Sequence, residues 1–382
     1  MIKPNPFTPQ SGWEPKVFGG RERQLADFDK TLEEAVSLRS NHVVVLGEWG
    51  VGKTSLLKQY KKISQSRGYP ASYCSICRFD SRSRPSDGIN LIMQEIAFGF
   101  PSAKFTEEAD LSRQKPPQKI KGGKKKLEPQ VLFAEFLLNL FKTMETKLAV
   151  VLLDDVQNLL CISEVIDILR SVLSKEEILS RARYLFVLAG TPAGWDGFVD
   201  KHDPVGRFFR RRENISLLTE RQAQEIILDS LEKTGVVFEQ EVMEKIFFYT
   251  LGHPYELQLL CSHLYDAQIE GKVTSREWES AFATTLRELG RDYFDSLYRR
   301  ASDREGDILE ILAEKNIPLK IADLRAIMIT EKRAKNFPVA NIKNFLYRLK
   351  DKELVKRGED NSYSVLDAMF VEYIRRNKKV GV

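Results

Sequence analysis

The chain has 382 residues, 42% of them hydrophobic, which is enough to bury more than one core, so we expect two or three domains. Its apolar runs are of strand length, which excludes a membrane-spanning helix of about 20 residues. Residues 1–10 contain three prolines and do not resemble a signal peptide, so we expect a cytoplasmic protein. The net charge of +5 becomes informative once it is located in the chain.

The excess positive charge lies in the C-terminal part of the chain. From Arg304 onward there are 17 Lys and Arg against 12 Asp and Glu, so the residues before it sum to zero. A second basic stretch, residues 112–126, has seven positive and no negative side chains. Its Pro, Gly and Lys content predicts a disordered loop inserted outside the core.

An α/β nucleotide-binding domain is predicted for residues 1–218, where strand-like and helix-like segments alternate in the pattern of a parallel sheet. The predicted strands are His42 to Leu46, Ala71 to Phe79, Leu148 to Asp154, Tyr184 to Ala189 and Glu213 to Leu218. The predicted helices include Thr54 to Ser64, Ile89 to Phe98 and Val131 to Met144. The continuous apolar runs among the strands are typical of central strands covered on both faces.

A glycine-rich loop follows the first predicted strand. It matches GxxxxGK[ST] between a β-branched strand and a helix, which is the context that the motif requires. Backbone amides in such a loop close around phosphates, the helix N-terminus adds positive charge, and the lysine neutralises the β and γ oxygens. The loop residues predicted to bind ATP or ADP are Gly47, Glu48, Trp49, Gly50, Val51, Gly52, Lys53, Thr54 and Ser55. Thr54 is also expected to hold Mg²⁺.

Two acids end the apolar strand that lies about a hundred residues after this loop. Asp154 is expected to bind Mg²⁺ through its water shell, and Asp155 is placed to orient or deprotonate the attacking water. A helix N-cap is the alternative role for this pair. The sequence thus predicts an ATPase with a P-loop and an acidic strand end.

Two further features are candidates for catalysis. Thr191 ends the next apolar strand, where it is expected to reach the γ-phosphate or the attacking water, although strands often end in such Gly-Thr-Pro turns. A basic run, Arg207 to Arg212, precedes the last predicted strand. There Arg210 or Arg211 is a candidate arginine finger for a neighbouring subunit's nucleotide, which predicts an ATP-dependent homo-oligomer. A solvated helix end is the alternative.

The second half of the chain is predicted to be mainly helical. Residues 219–303 have helical periodicity and predict an all-α lid domain. Residues 304–382 have the order helix, helix, helix, hairpin, which is the order of a winged helix. The third of these helices presents an outward polar face, and the hairpin adds cations. The residues of this surface are Asn341, Lys343, Asn344, Arg348, Lys350, Lys352, Lys356 and Arg357.

With these motifs the chain resembles the STAND and archaeal-type P-loop ATPases, which are related to the AAA+ replication initiators. The resemblance covers nearly the whole chain. The segments Asn5 to Pro9 and Phe18 to Glu22 look like the family's N-terminal segment, which implies that Phe18 and Arg21 lie by the adenine and ribose. Gly252-His253-Pro254 is similar to the GxP motif of STAND proteins, which implies that His253 or Pro254 contacts the nucleotide. The run GHPYELQLL lacks the lid arginine of replication initiators, so the STAND branch is favoured.

Three functions remain open from the sequence. The first is an ATP-hydrolysing switch whose winged helix engages a protein or duplex DNA. The second is a DNA-binding AAA+-like ATPase of replication, transposition or repair. The third is a nucleotide-dependent scaffold that hydrolyses slowly, since Asp155 stands where a glutamate is commoner.

Other metal or redox sites are not expected. Cys74 and Cys77 form a CxxC, but the pair lies in a predicted strand, where a spacing of three places two side chains on opposite faces. The four histidines stand at positions 42, 202, 253 and 263, and they form no Cys/His cluster at zinc-ligand spacing.

Overall fold

The computed structural model describes residues 4–10, 12–37, 41–100, 128–331 and 339–378. The predicted basic loop at residues 112–126 lies outside them. The chain forms two compact units, an α/β unit of residues 12–14 and Phe18–Ser216 and a helical unit of residues 4–10, Pro15–Val17 and the chain from Leu217. The change of unit falls close to the predicted boundary at residue 218. The predicted domains themselves, with the further division at residue 303, stay predictions.

The α/β unit is a parallel sheet with helices on both faces. Its strands are β1 (Val43–Leu46), β2 (Ala71–Ser75), β3 (Ala149–Asp154), β4 (Tyr184–Gly190) and β5 (Arg211–Asn214). Its helices are α1 (Glu22–Val36), α2 (Lys53–Ser66), α3 (Pro85–Gly99), α4 (Pro129–Thr143), α5 (Glu164–Leu173), α6 (Glu176–Arg181), α7 (Pro192–Lys201) and α8 (Asp203–Phe208), with a 3₁₀ segment at Val156–Ile162. The strand order is β2-β3-β4-β1-β5, and all neighbouring strands are parallel, which confirms the predicted fold class.

The central strands send alternate side chains into two cores. Val44 and Val151 pack on the face covered by α3, α4 and α5. Val45 and Leu152 pack on the opposite face, against α1 and α2. Every residue of β1, β3 and β4 is buried, which is why these strands are continuous apolar runs in the sequence. The carboxyl ends of these buried strands are therefore firmly placed.

The last strand of the sheet lies earlier in the chain than predicted. Instead of Glu213 to Leu218, β5 is Arg211–Asn214, which pairs with all four residues of β1. An edge strand is partly exposed and commonly carries charges, so its apolar content does not reveal it. Arg211 and Arg212 therefore lie inside the strand and not before it. Strand β2 is also shorter than predicted, since it ends at Ser75 and not at Phe79.

The helical unit surrounds one continuous apolar core. Its helices are α9 (Glu220–Leu231), α10 (Gln240–Thr250), α11 (Pro254–Asp266), α12 (Ser275–Leu289), α13 (Asp295–Tyr298), α14 (Asp303–Lys315), α15 (Ile321–Thr330), α16 (Val339–Asp351) and α17 (Ala368–Lys378), with a π-helical turn at Gly290–Phe294. Its strands are β6 (Val237–Phe238), β7 (Lys272–Val273), β8 (Val355–Arg357) and β9 (Tyr363–Val365). The predicted order of three helices and a hairpin is present as α14, α15, α16 and the antiparallel pair β8-β9.

Reciprocal side-chain caps fix the start of two of these helices. At α9, Gln222 N donates to Thr219 Oγ1 over 3.3 Å, and Thr219 N donates to Gln222 Oε1 over 3.0 Å. At α14, Ser302 N donates to Glu305 Oε2 over 2.7 Å. Such capping boxes satisfy amides that have no partner within the helix. In the described part of the chain, no helix is long and apolar enough to cross a membrane.

Candidate nucleotide site

The predicted phosphate loop joins β1 to α2 at the carboxyl end of the sheet. Gly47 N donates to Gly190 O over 3.2 Å, which ties the start of the loop to the end of β4. A Cβ on Gly47 would lie 2.7 Å from Val51 Cγ2, so the packing requires glycine there. Gly52 is the N-cap of α2 at φ +96°, a conformation that other residues adopt only with strain. The loop thus curls back over the first turn of the helix.

Lys53 lies inside this loop. Its side chain is buried, and Nζ donates to Gly47 O and to Glu48 O, both over 2.8 Å. Burial lowers the pKa of Lys53, while Asp154, Asp155 and Glu48 act in the opposite direction. Among the described residues the ammonium has two backbone carbonyls as its hydrogen-bond acceptors, and it lies on the concave side of the loop, a position from which it can bind anionic oxygens.

Thr54 and Asp154 meet beside this lysine. Thr54 Oγ1 donates to Asp154 Oδ2 over 2.6 Å, across about a hundred residues of sequence. Asp154 is buried at the end of β3, and its Oδ1 accepts a hydrogen bond from Asp155 N over 3.0 Å. Burial raises the pKa of Asp154, and the hydrogen bond from Thr54 partly offsets this effect. The two residues predicted to hold Mg²⁺ are thus adjacent.

Tyr73 is a member of this cluster that the sequence analysis missed. Its Oη donates to the same Asp154 Oδ2 over 2.8 Å. Tyr73 is on β2, paired with Leu152 of β3, so its ring and Asp154 project from the same face of the sheet. Burial raises the pKa of Tyr73, and the hydroxyl therefore stays a donor. Only the strand register brings this tyrosine to the acid, and no local motif signals it.

Asp155 adopts a left-handed backbone conformation, φ 58° and ψ 39°, directly after β3. Such a conformation is costly for a residue other than glycine and tends to occur at functional sites. Its Oδ1 accepts a hydrogen bond from Gln157 Nε2 over 3.0 Å. Gln157 Oε1 is buried, and no described residue is hydrogen-bonded to it. Gln157, which the sequence analysis also missed, thus fixes the Asp155 carboxylate from one side.

Thr191 lies where predicted, at the end of β4, but its side chain has a structural partner. Its Oγ1 accepts a hydrogen bond from Gly194 N over 3.1 Å and caps α7. A Cβ on Gly194 would lie 2.5 Å from Gln157 Cβ, so the first turn of α7 packs tightly on the glutamine that holds Asp155. The catalytic role of Thr191 stays a prediction.

The arginine run is divided between different environments. Arg211 is bound within its own chain, because Nη1 lies 3.0 Å from Glu34 Oε2 and Nη2 donates to Asp27 O over 3.2 Å. Arg210 is exposed, and its Nε donates to Arg207 O over 2.9 Å. Of the two candidate fingers, Arg210 is therefore the one whose guanidinium faces solvent.

The residues implied by the family resemblance lie in both units. In the α/β unit, Phe18 packs partly buried against the α1 and α2 core, and the Arg21 guanidinium donates to the carbonyls of Gly20, Val51 and Ser216. In the helical unit, His253 caps α11, whose first residue is Pro254. The contacts of these four residues with a nucleotide stay predictions.

The chemistry of the cluster fits a magnesium nucleotide. Mg²⁺ is usually held by one or two carboxylates together with hydroxyl, water and phosphate oxygens, and not by a cage of protein ligands. Thr54 and Asp154 supply such oxygens, and Lys53 supplies the cation for phosphates. Among the described residues, no group of three or more His, Cys, Asp or Glu could hold a metal ion alone. Cys74 is buried in β2, whereas Cys77 is exposed and lies beyond the end of that strand, so the two cysteines do not share a strand as predicted.

Comparison with known proteins gives one family match and several similar structures. Residues 17–185 match the family model described as AAA ATPase domain. A Walker-type ATPase of Pyrococcus abyssi is similar over 94% of this chain and 96% of that chain, with 18% identity and a TM-score of 0.63. The ORC2 protein of Aeropyrum pernix, in ADPNP-ADP complexes, is similar over 98% of both chains, with 16% identity and a TM-score of 0.66.

The Cdc6p structure of Pyrobaculum aerophilum is similar over 97% of both chains, with 17% identity and a TM-score of 0.50. No curated protein matches the sequence. At these identities the structural likeness concerns the fold. The α/β unit therefore has the fold of P-loop ATPases, and residues 17–185 match an AAA ATPase domain.

Proposed function

We propose that the chain binds ATP together with Mg²⁺ and hydrolyses it as a nucleotide-driven switch. The observation that carries the proposal is the cluster at the carboxyl end of the sheet, where the buried ammonium of Lys53 lies beside a hydroxyl and a carboxylate that are 2.6 Å apart. The AAA ATPase match over residues 17–185 supports it. The ADPNP and ADP complexes of the A. pernix protein support the choice of adenine nucleotides.

Each residue of the cluster has a distinct part in binding. The amides of the loop and the N-terminus of α2 bind phosphate oxygens, and Lys53 neutralises the negative charge on the β and γ oxygens. Thr54 and Asp154 would hold Mg²⁺, which supplies further neutralisation of the phosphates when bound. Tyr73 fixes the Asp154 carboxylate through its hydroxyl.

Asp155 is the residue proposed to act on the attacking water. Its Oδ2 accepts a hydrogen bond from the water and orients it for attack on the γ-phosphorus. As the new P–O bond forms, the bond from the γ-phosphorus to the β,γ-bridging oxygen breaks, ADP leaves, and the proton of the water passes to this carboxylate. The hydrogen bond from Gln157 holds the other oxygen, so the side chain has little freedom to turn away.

Two asparagine variants test this division of roles. We expect Asp155→Asn to bind ATP but to release phosphate roughly 10² to 10⁴ times more slowly, which is the usual contribution of a general base. Asp154→Asn should instead raise the Mg²⁺ concentration needed for binding. Asp200→Asn, an exposed acid on α7, is the matched control. Equal effects of the first two changes would show that the roles are wrongly assigned.

The same phosphate-release assay separates the switch from a scaffold. A switch requires the wild-type protein to turn over ATP with Mg²⁺. A slowly hydrolysing scaffold would bind ATP as tightly but show almost no wild-type turnover, and Asp155→Glu would then raise it, because a glutamate reaches farther toward the phosphate.

A second candidate function, DNA binding by a winged helix formed by α14 to α17, rests on the outer face of α16. Asn341, Lys343 and Asn344 are exposed there, and the Lys343 ammonium lies 5.7 Å from the centre of the Tyr347 ring. A groove of about 440 Å³ opens along this helix. Amide and cationic side chains on one exposed helical face are the groups that recognise base edges and phosphates.

Two of the cations predicted to contact DNA form ion pairs within the chain. Glu305 is buried at the start of α14, where Lys352 Nζ donates to its Oε2 over 2.6 Å and Arg348 Nε lies 3.1 Å from its Oε1. The Arg348 contact is an ion pair whose geometry is not that of a hydrogen bond. Burial would raise the pKa of Glu305, but the hydrogen bonds from Lys352 and Ser302 lower it.

Fluorescence anisotropy with a labelled duplex and the full chain tests DNA binding. We expect the affinity for the duplex to fall as the salt concentration rises. The logarithm of the affinity should decrease linearly with the logarithm of the salt concentration, because phosphate contacts release counterions. The absence of binding at low salt would contradict this second candidate function.

A further inference from the structure

Arg21 is a buried cation that joins two distant segments of the α/β unit. Its side chain is 5% exposed. Nη2 donates to Val51 O over 3.2 Å and to Ser216 O over 2.8 Å, while Nη1 donates to Gly20 O over 3.2 Å. One nitrogen therefore holds a carbonyl of the phosphate loop and a carbonyl near the end of the sheet domain at the same time.

The charge of Arg21 has backbone carbonyls as its partners. In the part of the chain that the structure describes, no carboxylate forms an ion pair with this guanidinium. Burial lowers the pKa of Arg21, which reflects the cost of removing the charge from water. A buried charge is tolerated only when its hydrogen bonds are well made, so the guanidinium cannot easily release either carbonyl.

Ser216 is also the point at which the chain leaves the α/β unit. Leu217 and Leu218, the next two residues, belong to the helical unit. Leu218 N donates to Gly252 O over 2.9 Å. A Cβ on Gly252 would lie 2.0 Å from Leu218 O, and Gly252 has φ +78°, so the two backbones are in direct contact.

Gly252 begins the Gly252-His253-Pro254 turn. Leu251 before it ends α10 at φ +47°, and His253 after it caps α11 through its Nδ1, which accepts from Glu256 N over 3.4 Å. The position of Leu218 thus sets the backbone between two helices of the helical unit. Three consecutive residues, 216–218, connect the Arg21 contact in one unit to this turn in the other.

We propose that Arg21 is a positioning residue that couples the phosphate loop to residues 216–218 and, through them, to the Gly252-His253-Pro254 turn. The inference rests on the proposed function, because it assigns nucleotide binding to the loop that contains Val51. If the Val51 carbonyl moves, Arg21 Nη2 moves with it. The Ser216 carbonyl must then follow or lose its hydrogen bond to Nη2.

Hydrogen exchange of the Leu218 amide measures the coupling. The full chain is compared with and without ATP and Mg²⁺, with ATP at a saturating concentration determined for each variant. In the wild type we expect ATP to slow exchange at Leu218 about tenfold, the effect of strengthening one hydrogen bond. In Arg21→Gln the same amide should exchange at equal rates with and without ATP.

Arg23→Gln is the matched control. Arg23 is two residues away and its guanidinium lies 2.8 Å from Glu213 Oε1 on β5, but its side chain is exposed and it does not bind the loop. This variant should keep the tenfold response. Arg21→Lys retains the buried charge without the planar guanidinium, and we expect a reduced response in it.

The outcomes separate the two proposals. If the wild type does not bind ATP, the proposed function fails and the coupling fails with it. If the wild type binds ATP but Leu218 exchange does not change, the coupling alone is wrong, whether or not Arg21→Gln folds. A full response in Arg21→Gln or Arg21→Lys also overturns it.

Discussion

The carboxyl end of the sheet and the outer face of α16 both gather polar side chains, but they hold them differently. At the sheet, Lys53 and Asp154 are buried, and each has at least two hydrogen-bond partners. On α16, Asn341 and Lys343 are exposed. Buried polar groups must be satisfied individually, whereas exposed charges act together and are screened by salt. Single substitutions should therefore have large effects at the sheet and small ones on α16.

Arg210 is an exception to this rule, because it is exposed and is nevertheless a candidate arginine finger with a large expected effect. We expect Arg210→Ala to lower turnover about 10³-fold with little loss of ATP affinity, since a finger acts on the transition state. Wild-type specific activity should rise with protein concentration. Arg211→Ala, which removes the pair with Glu34, is the control and should mainly lower thermal stability.

A mixing experiment with two inactive variants tests whether the finger acts between subunits. Arg210→Ala combined with Lys53→Ala should regain some activity if one subunit supplies the finger and the other the loop. Flat specific activity on dilution together with no recovery on mixing would mean that the arginine does not act between subunits.

His42 shows the energetic effect of burial at a position outside the proposed nucleotide site. It is 4% exposed, its Nδ1 accepts from Phe186 N over 3.1 Å, and burial lowers its pKa from 6.5 to about 4. The unfolded chain therefore binds a proton between these pH values that the folded chain does not bind. The contribution of neutral His42 to the free energy of unfolding is therefore fully present above pH 6.5 and is lost as the pH falls toward 4. The loss amounts to about 3 kcal/mol.

Urea unfolding at pH 7 and pH 4.5 measures this effect. His42→Asn retains an acceptor for Phe186 N without the titrating ring, so its stability should fall less between the two pH values than that of the wild type. His202→Asn, at a half-buried histidine 3.1 Å from Ser163 Oγ, is the control. The same decrease in His42→Asn as in the wild type would exclude His42 as the cause.

These residues also show how far the sequence predicts the molecule. The positions of the proposed phosphate loop and of Asp154 were predictable, because the loop is a local backbone structure with obligatory glycines and the acid ends a buried apolar strand. Tyr73 and Gln157 were not, because strand register and a turn bring them to the acids. The edge strand β5 was misplaced, because its charged residues give no apolar pattern and the apolar residues that follow it do.

Tyr73→Phe tests the contribution of a single hydrogen bond inside the buried cluster at the sheet. It removes one donor from Asp154 Oδ2 while keeping the ring and leaving the bond from Thr54. We expect the Mg²⁺ concentration for half-maximal ATP binding to rise by about tenfold or more, the effect of one hydrogen bond to a charged group. Tyr69→Phe, just before β2, is the control. An unchanged Mg²⁺ dependence would reduce Tyr73 to a packing role.

The smallest effect is expected on α16. Lys343→Ala should weaken duplex binding by about 1 kcal/mol and lower the salt slope by about one, with no change in folding stability. Arg348→Ala should instead lower folding stability, because it leaves the buried Glu305 with one cation fewer. If Arg348→Ala leaves the free energy of unfolding unchanged and weakens only DNA binding, the distinction between Lys343 and Arg348 is wrong.

The central claim is that a buried ammonium and a hydroxyl-carboxylate pair form a magnesium nucleotide site. Calorimetric titration of ATP with Mg²⁺ tests it most directly in the wild type, in Lys53→Ala and in Lys62→Ala, whose exposed lysine on the same helix pairs with Glu14. We predict about a hundredfold loss of affinity for Lys53→Ala and wild-type affinity for Lys62→Ala. Equal ATP affinity in all three proteins would contradict the assignment of this loop as the phosphate site.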